Sequence, residues 1–137
     1  MIEKIDRYYL EILSSDYLKA KSKPVEDLVI ELIDPISFEL NKFFYKQVGK
    51  KYQWVDRLVW ENKDWINYTS NNNLKTYVLK KKDDLVGYFE LIFNSKKNEC
   101  EIAYFGILED YFNKGFGGYM LSEALKNSFK LGAKRAW

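Results

Sequence analysis

The stretch EIAYFGILEDYFNKGFGGYML, residues 101–121, decides the fold. It begins as an apolar strand, turns through acidic and aromatic residues, and enters an apolar helix by way of a glycine-rich loop. The chain has only seven glycines in 137 residues, yet Gly115, Gly117 and Gly118 crowd together here. The start of a helix presents N–H groups with no internal partner and carries the positive end of the helix dipole, so an anion fits there. Glycines leave no side chain between an incoming phosphate and those amides, and Lys114 adds a positive charge. The plainer alternative is a turn kept small so that the helix packs tightly on the sheet. G-F-G-G has the wrong spacing for a dinucleotide-binding fingerprint, and no Gly-Lys-Ser/Thr follows to make a Walker loop.

Working outward, DLVIELI (residues 27–33) reads as a first strand closed by Asp34-Pro35, because Pro35 has no N–H for a ladder. Phe38, Leu40, Phe43, Phe44 and Val48 recur at near-helical spacing, with Gly49 as the expected stop. An aromatic helix is expected over residues 59–68. Residues 74–80 and 85–94 read as strands joined by the charged turn at Lys80–Asp84, and residues 99–108 as a third strand, giving an antiparallel meander. The helix after the glycines, residues 117–130, carries Leu121, Ala124, Leu125 and Phe129 on one side and is capped by Gly132. A helix that leaves a strand normally crosses back to a parallel neighbour, and AKRAW is what remains to build it. The chain is therefore expected to stop inside a strand, leaving a sheet edge open to a second copy or a complementing C-terminal segment.

Composition narrows the function. With 47% hydrophobic and 18% aromatic residues, the chain is expected to form one globular domain over residues 1–137. The formal charge of +2, with both signs interspersed, argues against nucleic acid as a partner. Cys100 is the single cysteine, so no intrachain disulfide can form, which fits a cytoplasmic location. The N-terminus, MIEKIDRYYLEIL, is too interrupted by charge for a signal peptide or membrane span, so no membrane partner is expected. Histidine is absent altogether, which rules out imidazole bases and most zinc sites; no metal is expected.

The loop FNKGFG after the strand EIAYFGIL resembles the acyl-CoA loop of the GCN5-related N-acetyltransferases (GNAT), whose pattern is Arg/Gln-x-x-Gly-x-Gly/Ala following an apolar strand. The order of elements agrees over most of the chain. Three departures stand out: Phe112 replaces the usual Arg or Gln, Asn113 replaces a frequent glycine, and Glu109 stands where many members have proline. The resemblance implies an α/β fold with a mixed, mostly antiparallel sheet flanked by helices and lacking the C-terminal strands. It also implies acetyl-CoA as co-substrate and a small-molecule or peptide amine as acceptor. In that scheme backbone groups of Phe105 and Ile107 pair with the pantetheine arm, and Asn113, Lys114, Gly115, Phe116, Gly117 and Gly118 cradle the pyrophosphate.

Strand alternation is expected to put Glu101, Ala103, Phe105 and Ile107 on one face and Cys100, Ile102, Tyr104 and Gly106 on the other. By the resemblance, Glu101 is the general base that deprotonates the amine, with Glu90 the second choice; the bland reading of Glu101 is a solvent-facing or lysine-paired carboxylate. Among the aromatics of residues 45–65, Trp54 with Arg57 is expected to touch the acceptor, while most of the others fill the core. Cys100 reads as a core thiol. The rival readings are a catalytically incompetent fragment that binds CoA or another protein, and an aromatic platform for single-stranded nucleic acid.

Overall fold

The computed structural model describes residues 11–14, 16 and 18–137. The N-terminal stretch up to residue 10, read above as neither signal peptide nor membrane span, lies outside the described residues. The elements run β1 (Leu28–Leu32), α1 (Phe38–Tyr52), α2 (Asn62–Thr69), β2 (Leu74–Lys81), β3 (Asp84–Asn94), β4 (Glu99–Ile107), α3 (Phe116–Lys130) and β5 (Arg135–Ala136). A 3-10 turn at Glu109–Tyr111, not anticipated from sequence, precedes α3. One sheet has the order β1-β2-β3-β4-β5, antiparallel from β1 to β4, with β5 parallel beside β4. This is the mixed, mostly antiparallel α/β architecture expected. Among the described residues no helix is long and apolar enough to cross a membrane.

The sheet is apolar on both faces because helices cover both. Leu79, Phe89 and Leu91 pack with Phe116, Met120 and Ala124 of α3. On the opposite face Val78 and Tyr88 pack with Phe44 and Val48 of α1. Burying each such side chain contributes roughly 1.5–3 kcal/mol, so these two layers fix how α1 and α3 sit on the strands.

Two helix boundaries differ from expectation. Gly49 does not stop α1, which continues to Tyr52 and ends with Gln53 in the left-handed region at φ 57°. Gly49 serves contact instead: a Cβ there would lie 3.0 Å from the Cβ of Trp54, so its bareness lets the chain fold back on the helix. The Trp54 N–H then donates to the Gly49 carbonyl at 3.0 Å. The second helix begins at Asn62, later than expected, because Glu61 and Asp64 form a capping box that fixes its start. Val59 and Trp60 consequently stay in the turn before it.

The decisive departure is in β4. Glu90 pairs with Tyr104 while the next residue, Leu91, pairs with Ile102, so Ala103 is an extra residue, a β-bulge. The expected alternation is thereby broken. Cys100 and Ile102 face α3, but so do Phe105 and Ile107 beyond the bulge. Glu101 pairs with Ile92, and Tyr104 packs on the α1 side, so these two share the opposite face with Gly106. At Gly106 the sheet touches α1 so closely that a Cβ would lie 2.2 Å from Cγ1 of Val48. Gly106→Ala is expected to lower stability by about 1–3 kcal/mol through this overpacking. Urea unfolding checks it, with the midpoint moving down and the slope unchanged.

Candidate functional site

A cavity of about 600 Å³ opens beside the second half of β4, between the start of α3 and the end of α1. Within the described residues β5 pairs with β4 at its beginning, Glu99 with Arg135 and Cys100 with Ala136. The Ile102 N–H still reaches the Trp137 carbonyl at 3.4 Å, after which β4 has no neighbour on that edge among the described residues.

The bulge decides what this open edge offers. The Leu108 N–H donates to the Val86 carbonyl at 2.8 Å, so alternation turns the amides of Tyr104 and Gly106 toward β3. Those of Phe105 and Ile107 are left pointing into the opening. Both residues line the cavity, as does Gly106 between them.

The far wall is the glycine loop. Asn113 and Gly115 adopt left-handed backbone at φ 62° and 78°, which lets the chain turn sharply into α3. Asn113, Gly115, Phe116 and Gly117 line the cavity; Lys114 is exposed and lies outside its wall, as does Gly118. Phe116 is 3% exposed and its ring belongs to the core, so it can offer a ligand only its backbone. The N–H groups of the first turn of α3 have no intrahelical acceptor.

The glycines themselves distinguish the two explanations offered by the sequence. A Cβ at Gly117 would meet nothing nearer than Ile107 Cγ1 at 3.9 Å, and one at Gly118 nothing nearer than Lys21 Cγ at 3.6 Å. Both are ordinary contacts. Tight packing of α3 on the sheet therefore does not require these glycines, although each costs roughly 0.5–1 kcal/mol relative to alanine inside a helix. What their bareness keeps open is the approach to the backbone.

Trp54 and Arg57, expected together on the acceptor side, have different surroundings. Trp54 and Tyr52 form the cavity wall facing the glycine loop, joined there by Phe112, the departure noted in the motif, and by Tyr111, which the sequence did not single out. Arg57 is 7% exposed and its guanidinium points inward, where Nη1 donates to Oε1 and Oε2 of Glu90 at 3.2 and 3.3 Å. Glu90 has no exposed surface; it also accepts from the Tyr68 hydroxyl at 2.7 Å and from Asn41 Nδ2 at 2.9 Å. The rings of Tyr68 and Tyr104 each lie 4.1 Å from the guanidinium carbon. Burial works most strongly against the Arg57 charge, but Glu90 together with Tyr68 and Tyr104 outweighs it and the guanidinium pKa is raised. Burial next to Glu90 likewise pushes the Tyr68 hydroxyl far above the ordinary phenol range.

Glu101 stands on the same face, partly buried and outside the cavity lining. Burial raises its pKa; Arg57 draws it back and Glu90 adds to the rise. Cys100 is fully buried on the other face, and burial raises its thiol pKa, as befits a core thiol.

Comparison with known proteins agrees with the fold. The family model for acetyltransferases of the GNAT family matches residues 34–137. No curated protein sequence matches the chain. Among solved structures, an aminoglycoside acetyltransferase from an uncultured soil metagenomic sample, in complex with sisomicin, superposes with a TM-score of 0.68 at 12% identity, over 81% of this chain and 76% of that one. A GNAT family acetyltransferase from Staphylococcus aureus gives 0.59 at 19% identity, over 81% and 84%. A Bacillus subtilis acetyltransferase in complex with CoA gives 0.55 at 24% identity, over 77% and 60%.

Proposed function

The chain belongs to the acetyltransferase (GNAT) family, and on that premise we propose that it moves acetyl from acetyl-CoA to a primary amine by direct attack. The backbone N–H groups at the start of α3, from Phe116 to Gly118, hold the pyrophosphate, with Asn113 and Gly115 shaping the turn and Lys114 adding charge from outside the wall. Phe105 and Ile107 pair their edge amides with the pantetheine arm as an added strand would. Trp54 bounds the end of the cavity where thioester and amine meet. The observation that carries this is the pair of helical glycines, Gly117 and Gly118, bare where packing leaves room for a side chain.

An attacking amine must lose its proton. Glu101 takes it, through water, since it stands on the face covered by Tyr104 but does not line the cavity. The tetrahedral oxygen needs a donor, and an outward N–H of β4 supplies it; as the intermediate collapses the C–S bond breaks and CoA leaves as a thiolate that takes a proton from water. The acceptor is a small molecule or peptide that presents an uncharged amine at the Trp54 end.

Calorimetric titration of this chain with acetyl-CoA tests the donor half: micromolar binding is expected, and the absence of heat and of a thermal shift at millimolar ligand would sink the reading. Once an acceptor amine is found, kcat/KM is expected to climb with pH as Glu101 deprotonates. Its raised pKa places that limb above the range of an ordinary glutamate. Glu101→Gln is expected to remove the limb; an unchanged profile would take the base role away from Glu101.

A further inference from the structure

Glu90 and Arg57 form a buried charge pair that the acetyl transfer proposed above does not use. Along residues 53–60, which link α1 to α2, Arg57 is the only buried residue. Val55, Leu58 and Val59 are 63%, 55% and 83% exposed. No apolar side chain of this loop is fully buried to hold it on the sheet; its buried anchor is a guanidinium. The Arg57 N–H adds a second tie, donating to the Tyr45 hydroxyl at 2.8 Å.

The anchor communicates with the cavity through ring contacts. The Arg57 guanidinium lies over the Tyr104 ring, and the Tyr104 ring meets Trp54 edge-on with centroids 4.8 Å apart. Trp54 lines the cavity. Tyr104 in turn is presented to Arg57 by the bulge at Ala103, and it pairs directly with Glu90 across the sheet. One buried carboxylate thus holds the arginine, the arginine holds the loop and one tyrosine, and both bear on the tryptophan.

We propose that Arg57, locked onto Glu90, is a positioning residue: it clamps loop 53–60 to the sheet and so sets where Trp54 stands in the cavity wall. The proposal rests on the acyl-CoA reading above, because it assigns Trp54 to the acyl end of that ligand. Arginine suits the task in ways lysine does not. Its guanidinium carbon lies 4.1 Å from the centroids of both the Tyr68 and Tyr104 rings while Nη1 reaches both carboxylate oxygens, and a lysine ammonium has no plane to lay against two rings at once.

The test uses two probes of different reach, 3′-phospho-ADP for the pyrophosphate end alone and acetyl-CoA for the whole cavity. Calorimetry measures both on the wild type, on Arg57→Lys, and on the double variant Arg57→Met with Glu90→Met. The double variant removes both charges together, so neither is left buried and unpaired, and a cooperative thermal unfolding transition is the criterion that it is folded before titration. Affinity for 3′-phospho-ADP is expected to stay within about twofold in all three, because the first turn of α3 is untouched, while acetyl-CoA affinity falls about tenfold in the double variant and is not rescued by lysine. If acetyl-CoA binds the double variant as it binds the wild type, Arg57 does not position the wall. A parallel loss for both probes would mean general damage and would equally overturn the proposal. Failure of the wild type to bind either probe removes the acyl-CoA reading itself, an outcome distinct from the other two.

Discussion

Glu90→Ala is expected to cost about 3–5 kcal/mol of folding stability, with a fall in Tm of roughly 10–20 °C. The substitution removes the carboxylate that is hydrogen-bonded to Arg57 in a site where both side chains are out of solvent. It also strips the acceptor from Tyr68 and from one hydrogen bond of Asn41, whose Nδ2 retains Thr76 at 2.8 Å. Each donor left buried without a partner adds a desolvation cost of its own. The pair need not stabilise the protein by as much as its rupture destabilises it, because gathering two charges from water is itself expensive. Denaturant unfolding of Glu90→Ala beside the double methionine variant separates these quantities. The single substitution is expected to be the more damaging of the two, and the reverse order would mean that Glu90 is compensated elsewhere.

Gly117→Trp is expected to weaken acetyl-CoA binding by more than about 100-fold while leaving the protein folded. The indole enters the cavity in front of the helix amides, so at least one or two charge-assisted hydrogen bonds to phosphate are lost, each worth about 1.5–3 kcal/mol. Stability should hold, because the wall of the site leaves the new side chain an ordinary contact at its root. Gly117→Ala makes the sharper comparison: its added methyl should raise stability by about 0.5–1 kcal/mol through helix propensity while still hindering the ligand. A Gly117→Trp protein that binds acetyl-CoA like the wild type would mean that the glycines serve something other than phosphate access.

These two sites differ in how far the sequence reveals them. The glycine loop is legible because its chemistry is local: three glycines, an apolar strand before and an apolar helix after are all visible in one short run. The meander is legible for the same reason, since period-two alternation and polar turns are properties of neighbours. The Glu90 cluster is not local. Arg57 lies 33 residues away from Glu90 and Asn41 lies 49 away, so nothing near Glu90 announces its partners. The sequence carries a weaker signal, a lone charge inside the apolar run VGYFELIF, which marks a buried carboxylate but not its partners. Gly49 misled in the opposite sense, because a glycine after an apolar helix reads as an ending when the contact it serves, with Trp54, is tertiary.

The extra residue at Ala103 makes β4 a strand with a change of parity in the middle. Everything beyond it, both the direction of each side chain and the direction of each amide, is the reverse of what counting from Glu99 would give. Exchanging Ala103 for another residue leaves the count intact. Deleting it would swap Phe105 and Ile107 from the α3 face to the aromatic face and turn their amides into the β3 ladder, closing the edge and unpacking the core in one step. The position should therefore admit many residue types and no change in length, and a comparison that lets a gap slide along this strand will assign every side chain beyond it to the wrong side of the sheet.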